Sequence, residues 1–517
     1  MLILRGAKNQ GFLRSLVFVV FWAVTFTLAY AQSPLFTSNQ NQYFIHGLAD
    51  AGYGYLDQDW LANTLDPTPV FSGLVRLTYG TSHWVPLFYV EYAILAGVYL
   101  LSLFSILSQT TQLGNSKAKR RVYLLGLVLL HSAALRYVVV HLFSQDWVHL
   151  FDGGVAGQRL LGSVLQPSTF GVFLLLGVAL YLRGHLKSAV ISLAVAATFH
   201  PTYLLSAAIL TLILMGLEYR KEKKLSRSLA IGSGALLLVA PVLLITMRTF
   251  GGTDPNLAER ARELLVNFRI PHHAIPGEWF DGSVVVKMVF ITLAVVLTRK
   301  SPLFHFLLWP TLAAVSGTIL QIISGSTVVA LLFPWRPSTW LVPLSTGVIL
   351  FWSLERIWPR SEKIISSKWV GALVGVFLLL LAGTGLLKSW LEYQERVNGN
   401  DRPIMAHIDE TKQAGEVYLV PLDMQDFRLE TGAPAYVEFK SIPYKDTDVL
   451  EWYRRVSLAG QLYRAPYKRK GCEIVSQLAE EGVTQVILPY DHILQSCENL
   501  RRGYWDWNFV VYEVNGD

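Results

Sequence analysis

SAVISLAVAATFHPTYLLSAAILTLILM, residues 188–215, is the stretch on which the fold turns. Apart from His200-Pro201 near its middle it is almost wholly apolar. It can cross a membrane once as one long helix or twice as two short ones. Proline lacks a backbone donor and crowds the preceding residue, so the helix ends or kinks at His200. Charge decides between the two readings. A single crossing would put Arg220, Lys221, Lys223, Lys224 and Arg227 on the opposite side from Arg183 and Lys187. Two crossings gather roughly twenty Lys and Arg on one side and roughly eight on the other, as the positive-inside bias requires. Each half has about 14 residues, short for a span at 1.5 Å per residue, so the hairpin is expected to stop within the membrane beneath a cavity open to the outside.

Outward from this hairpin the chain is 52% hydrophobic and only 16% charged over 517 residues, too apolar for a soluble protein of that size. The net charge of +7 sits in short clusters between apolar runs, which is the pattern of membrane topology and excludes a nucleic-acid partner. Apolar runs are read at 15–31, 84–107, 122–143, 169–182, the two halves of 188–215, 228–247, 284–297, 303–323, 328–352 and 370–387. The expected fold is mainly α: a polytopic bundle of about eleven membrane helices, N-terminus inside, over residues 1–388. Ala29-Tyr30-Ala31 also fits the small-x-small pattern of a signal-peptide cleavage site, with retention as a first helix preferred.

This topology places the loops 32–83, 144–168 and 248–283 on the outside. The first contains SNQNQYFIHGLADAGYGYLDQDWLANTLDPTPVF, residues 38–71, which concentrates Asp50, Asp57, Asp59, Asp66, His46, Tyr43, Tyr53, Tyr55 and Trp60. Carboxylates can serve as general bases or hold a cation, and flat rings pack on sugar faces. The second, Gly-rich, carries Asp146, His149, Asp152 and Arg159. In the third, Asp254 and Pro255 are placed to start an amphipathic helix, followed by Arg269, His272 and His273 among prolines. Glu91 and Arg136 lie at similar depth inside apolar runs and are expected to pair. Arg336 stands between prolines in LFPWRPSTW, where the backbone cannot be regular helix and must line protein or a polar cavity. A guanidinium there suits a phosphate.

Residues 389–517 change character: short β-rich runs at 416–420, 435–439, 484–488 and 509–514 alternate with helical stretches at 447–456 and 472–481. A small soluble extracytoplasmic α/β domain with a partly parallel sheet is expected. Cys472 and Cys497 can form a disulfide there or remain as two buried thiols.

Taken together, the layout resembles the GT-C class of polytopic glycosyltransferases, which includes oligosaccharyltransferase, protein O-mannosyltransferase and aminoarabinose lipid A transferase. In that class the first outer loop carries Asp-Glu, then Tyr, then Asp-Trp. Here Asn39-Gln40 stand in place of the acids, followed by Tyr43 and Asp59-Trp60. The chain is also similar to bacterial membrane proteins with GT-C-like helices in which Pro-His-His and Pro-Trp-Arg elements recur, here Pro271-His272-His273 and Pro334-Trp335-Arg336. The resemblance implies an enzyme of the bacterial cytoplasmic membrane that moves a sugar from a polyprenyl-phosphate donor to a glycan, lipid or protein acceptor at the outer face. On that reading Asp59, then Asp50, is the catalytic base. Asp146 and Asp152 hold a divalent cation such as Mg or Mn, or the sugar hydroxyls. Arg336, Arg269, His272 and His273 meet the phosphate, and Tyr53, Tyr55 and Trp60 line the sugar. Amides can neither take a proton nor ionise, so Asn39-Gln40 equally suit a non-catalytic polyprenyl-lipid or polysaccharide translocation partner. A solute transporter is the third reading, but the break at His200-Pro201 has no counterpart in the other half of the chain.

Overall fold

The computed structural model describes residues 2–111, 113, 116–365, 368–464, 468–491 and 497–514. It forms two compact units. The first comprises Met1–Gln32, Phe88–Leu243 and Val266–Trp390; the second comprises Ser33–Leu87, Leu244–Leu265 and Leu391–Asp517.

The first unit is a helical membrane bundle, and the chain is a multi-pass membrane protein. Leu87–Thr110, Pro201–Glu222, Leu225–Phe250, Leu303–Ser324 and Gly371–Val397 are each long and apolar enough to cross. Lys117–Leu130 and Ala133–Leu142 make a sixth span if their 50° bend is counted as one broken crossing. The helices Arg14–Tyr30, Pro167–Leu182, Leu186–Phe199 and Gly282–Leu297 are apolar but shorter. Together with Ser338–Ile365 these helices form the expected polytopic bundle, and among the described residues five or six of them are long and apolar enough to cross by length alone. The hairpin does break where proline dictates. His200 is extended at φ −144°, ψ 106°, Pro201–Tyr203 is a single 3-10 turn, and a new helix starts at Leu204. Its first arm packs closely on the preceding helix, Val172–Leu182, because Gly177 leaves room for Leu193.

One expected helix is not continuous. The run 328–352 is a short helix, Thr327–Leu331, an irregular stretch, and then the helix Ser338–Ile365. Pro334 and Pro337 flank the break, and Phe333 turns the backbone to φ 50°.

The second unit holds a four-stranded sheet: β1 (Tyr418–Leu419), β2 (Gln485–Pro489), β3 (Leu500–Trp505) and β4 (Phe509–Val514), in the order β1-β2-β4-β3. β1 and β2 are parallel and the other pairings antiparallel, so the partly parallel sheet is as expected. The expected strand at 435–439 shrinks to one bridge between Tyr418 and Ala435. β3 went unread because its LRRGYW is polar and lies at a sheet edge, where no buried face imposes alternation. Ile404, Met405 and Ile408, on one face of the helix Arg402–Thr411, pack with Tyr418, Phe427, Ile487 and Val511 to form its core. Cys472 and Cys497 are joined in a disulfide with Cα atoms 5.4 Å apart.

The domain boundary departs from the expectation. The first loop, placed by sequence with the membrane domain, is built into the second unit alongside the C-terminal segment. Several contacts hold it there. The Gly54 and Gly432 backbones approach so closely that a Cβ on Gly54 would sit 2.3 Å from the Gly432 oxygen. Tyr55 N donates to Gly432 O, and the Tyr53 hydroxyl donates to Leu429 O at 2.9 Å. The Gln42 amide both donates to Ile442 O and accepts from Ile442 N. A carboxylate could only accept, so this clasp needs an amide. Asp59 completes the join. Its Oδ2 accepts from Arg428 Nε at 2.6 Å and Ala435 N at 2.8 Å, and its Oδ1 from Leu61 N at 2.8 Å. Arg428 also meets Glu438 at 3.0 Å, and the three side chains are 0–2% exposed.

Two carboxylates share one guanidinium in this dry triad. Burial, reinforced by Asp59 and opposed by Arg428, pushes the Glu438 carboxyl up to about 7. A carboxyl with a higher pKa folded than unfolded stabilises the fold fully below its unfolded value and ceases to do so as pH rises through its folded value. Denaturation of the full chain in nanodiscs should therefore show the second unit losing up to about 3 kcal/mol between about pH 5 and pH 8. Glu438→Gln should flatten that slope. Arg428→Met should cost about 3–5 kcal/mol at neutral pH, since it strands Asp59 without a counter-charge.

Candidate functional site

The second outer loop of the sequence analysis folds in the first unit into a tight, polar turn. Gly153 N donates to His149 O at 3.0 Å, Gly154 N to Gln158 O at 2.8 Å, and Gly153 bridges Arg159. Ala156 and Gly157 supply the left-handed residues, at φ 56° and 64°. Gly154 must lack a side chain, because a Cβ there would lie 2.5 Å from Ser338 Oγ and 2.7 Å from Thr339 N. Irregular backbone in a membrane bundle needs partners from the protein, and it has them. Lys287 Nζ donates to Gly154 O at 2.9 Å, Val155 N to Ser338 Oγ at 3.0 Å, and Thr346 Oγ1 to Phe151 O at 3.0 Å. His273 Nδ1 lies 2.6 Å from Ala156 O.

At the near end of the turn Asp152 is buried. Its carboxylate accepts from the Tyr30 hydroxyl at 2.9 Å, lies 3.4 Å from Arg136 NH1, and faces His149 Nδ1 at 3.2 Å from both oxygens. Arg136 also donates to His131 O and Tyr30 O and stacks 4.1 Å over the Tyr30 ring. Arg136 thus finds its carboxylate in the loop. Burial alone would raise the Asp152 carboxyl, but His149 and Arg136 outweigh it and hold the group ionised well below the usual range. Burial, helped by Arg159, lowers His149 to about 4 against the opposing pull of Asp152. The imidazole is then neutral at physiological pH. With Nδ1–H directed at a carboxylate, Nε2 carries the free lone pair.

At the far end, Arg336 sits in the irregular stretch after Leu331. Its NH1 donates to Gln158 Oε1 at 3.2 Å, and its guanidinium lies 4.9 Å over the Tyr203 ring. It is only 8% exposed, and its buried Nε has no acceptor. Among the described residues no carboxylate forms an ion pair with Arg336, nor with Arg159 or the buried Lys287 on the same turn. The one buried acid here, Asp152, is already matched by Arg136. The turn therefore gathers cationic side chains in a poorly hydrated place, which is costly unless an anion joins them.

The expected site residues separate. Arg336 and His273 come to this turn. His272 is exposed beside His273, ring centroids 4.1 Å apart, and Arg269 is half-buried at the end of the π-helical turn Leu264–Arg269. Asp50, Tyr53, Tyr55, Asp59 and Trp60 belong to the second unit. There Asp59 is closed off by Arg428, so the base role expected of it does not fit its setting. Asp50 is exposed, 3.9 Å from Arg76, and Trp60 stacks under Arg455 at 4.3 Å. Tyr53 and Tyr55 serve the join to Leu429 and Gly432 described above. Asp146 and Asp152 do not make the expected cation centre. Asp146 is exposed on the turn Gln145–Trp147, the Asp152 oxygens are occupied, and among the described residues no group of three or more His, Cys, Asp or Glu side chains is placed to hold a metal ion.

Lys287, Gln158, Tyr30 and the pairing of His149 with Asp152 were not read from the sequence. Lys287 had a signal, being a charge within the apolar run 284–297. Tyr30 was read as part of a cleavage pattern and proves to be a buried ligand of Asp152.

A family model described as Domain of unknown function (DUF6798) matches residues 400–459. No curated protein matches the chain. Among solved structures the chain resembles ArnT from Cupriavidus metallidurans, crystallised bound to undecaprenyl phosphate. They share 15% identity over 97% of this chain and 98% of that one, with a TM-score of 0.47.

Removing one member of the buried pair should be worse than removing both charges. Arg136→Met should destabilise the membrane unit by about 3–5 kcal/mol in thermal denaturation, and Arg136→Met with Asp152→Asn should recover part of that loss.

Proposed function

We propose that the chain is a GT-C-type membrane glycosyltransferase that takes a sugar from a polyprenyl-phosphate carrier. The observation that carries the reading is the buried guanidinium of Arg336 with no carboxylate partner, set with Arg159 and Lys287 around one backbone turn. A guanidinium offers paired donors that match phosphate oxygens, and a membrane protein meets phosphate chiefly on lipids.

The chemistry follows from charge. Breaking the bond between the anomeric carbon and the phosphate oxygen leaves negative charge on the phosphate, where Arg336 and Arg159 stabilise it. The acceptor hydroxyl forms the new bond to that carbon and gives up its proton. His149 is the group in this unit suited to take it, neutral and oriented by Asp152 so that Nε2 is the acceptor. On this reading His149 takes the base role expected of Asp59.

A second reading has its own support. Gln40 is buried and accepts from Phe36 N at 2.7 Å, Gln42 clasps Ile442, and Asp59 is consumed by Arg428, so the loop that carries the acids in GT-C enzymes is here structural. A protein that holds the lipid phosphate without turning it over would look the same around Arg336. The bacterial cytoplasmic membrane, with the two units' loops outside, is the location both readings require.

Native mass spectrometry of the protein in mild detergent should find polyprenyl phosphate on the wild type and none on Arg336→Ala. His149→Gln should keep the lipid and lower transfer at least about 100-fold if the protein is an enzyme. Wild-type transfer should lose activity on the acid side only toward about pH 4, following His149. Retention of lipid by Arg336→Ala would remove the anion site on which both readings stand.

A further inference from the structure

The second unit has a cavity of about 500 Å³ that the reading above does not use. It opens where the parallel strands β1 and β2 end, and the antiparallel β4 starts at the same edge. Crevices at the carboxyl ends of strands in α/β sheets are favoured ligand sites, and the volume is in the usual range of roughly 300–1,000 Å³. Its wall combines Asn400, Asp401, Asp423, Met424, Asn508 and Phe509. Asp401 is engaged by Arg402 at 3.2 Å, and Asn508 Nδ2 donates to Asn400 O at 3.2 Å. The exposed Asp423 carboxylate has no hydrogen bond or ion pair among the described residues.

The same hairpin that supplies Asn508 and Phe509 carries Trp507, which is 95% exposed. Its turn is stiff. Asp506 Oδ1 accepts from Asn508 N and Phe509 N, both at 2.7 Å, Asp506 N donates to Phe509 O at 2.9 Å, and Tyr490 N donates to Asn508 O at 2.8 Å. An indole held in water by a rigid turn loses little conformational freedom when a ligand covers it.

We propose that this edge of the sheet binds a neutral oligosaccharide. Each sugar hydroxyl is at once a donor and an acceptor. Asp423 meets the first function and the amides of Asn400 and Asn508 meet both. Met424 and Phe509 form an apolar floor, and Trp507 offers a face for the C–H side of a second ring. An anionic lipid headgroup fits worse, since Asp401, Asp423 and Asp506 crowd the same edge. The site lies wholly in the second unit and needs neither Arg336 nor a lipid phosphate, so it stands or falls apart from the transferase reading.

The test uses the full chain in nanodiscs and a panel of neutral hexose and N-acetylhexosamine tri- to hexasaccharides, read by saturation-transfer NMR and by tryptophan fluorescence. At least one saccharide should bind. Trp507→Ala and Asp423→Ala should each weaken it by at least about tenfold, Trp507→Phe should restore most of the affinity, and Arg336→Ala should leave it unchanged. Both alanine sites are on the surface, and an unaltered thermal transition verifies that each variant is folded. No binding by any member of the panel at millimolar concentration overturns the proposal. So does binding indifferent to both alanine variants, or Trp507-dependent binding to anionic vesicles in place of sugars.

Discussion

The ion pair between Asp59 and Arg428 decides how the second unit is made. Both groups are fully buried and 369 residues apart in the chain. A carboxylate taken out of water without a counter-charge costs several kcal/mol, so a loop that brings Asp59 inside can be stable only where Arg428 awaits it. That requirement joins a segment following the first helix to one following the last apolar span, Gly371–Val397. The glycine contact at 54 and 432, the Gln42 clasp and the bonds of Tyr53 and Tyr55 then refine a placement that charge has already selected.

The two units treat buried charge differently, and the difference bears on function. In the second unit the buried Arg428 has two acids to answer it. In the first, Asp152 and Arg136 answer one another, while among the described residues no carboxylate pairs with Arg336, Lys287 or Arg159. Stability alone would not place three uncompensated cations on one turn of a membrane bundle. The proline-flanked break before Ser338 and the glycines at 153 and 154 let two irregular stretches of backbone meet there at close range.

Some of this was legible from residues alone. The break at His200-Pro201, the cap of Asp254 on Asn256 N and Leu257 N, and the irregular backbone around Arg336 all follow from rules that act over a few residues. The Arg336 stretch stood out because a charge beside prolines at membrane depth is costly wherever it lies. The burial of Asp59 was not legible, for an equally physical reason. A carboxylate next to aromatic residues in a polar loop has the same local appearance whether it faces solvent or a buried arginine. His149 was seen in its loop, but its pairing with Asp152 depends on the turn that brings the imidazole and the carboxylate together. The strand Leu500–Trp505 escaped because an exposed edge leaves no alternation to read.

By itself the sequence determined that the chain is a membrane protein, where its apolar helices lie, and where proline interrupts them. These are set by transfer free energies and backbone sterics, which each segment carries with it. Only the tertiary structure decided which acids are spent on stability and which cations remain unanswered. That outcome depends on distances between side chains far apart in sequence, and a buried charge acquires its cost and its chemistry from whatever the fold places within a few ångströms of it.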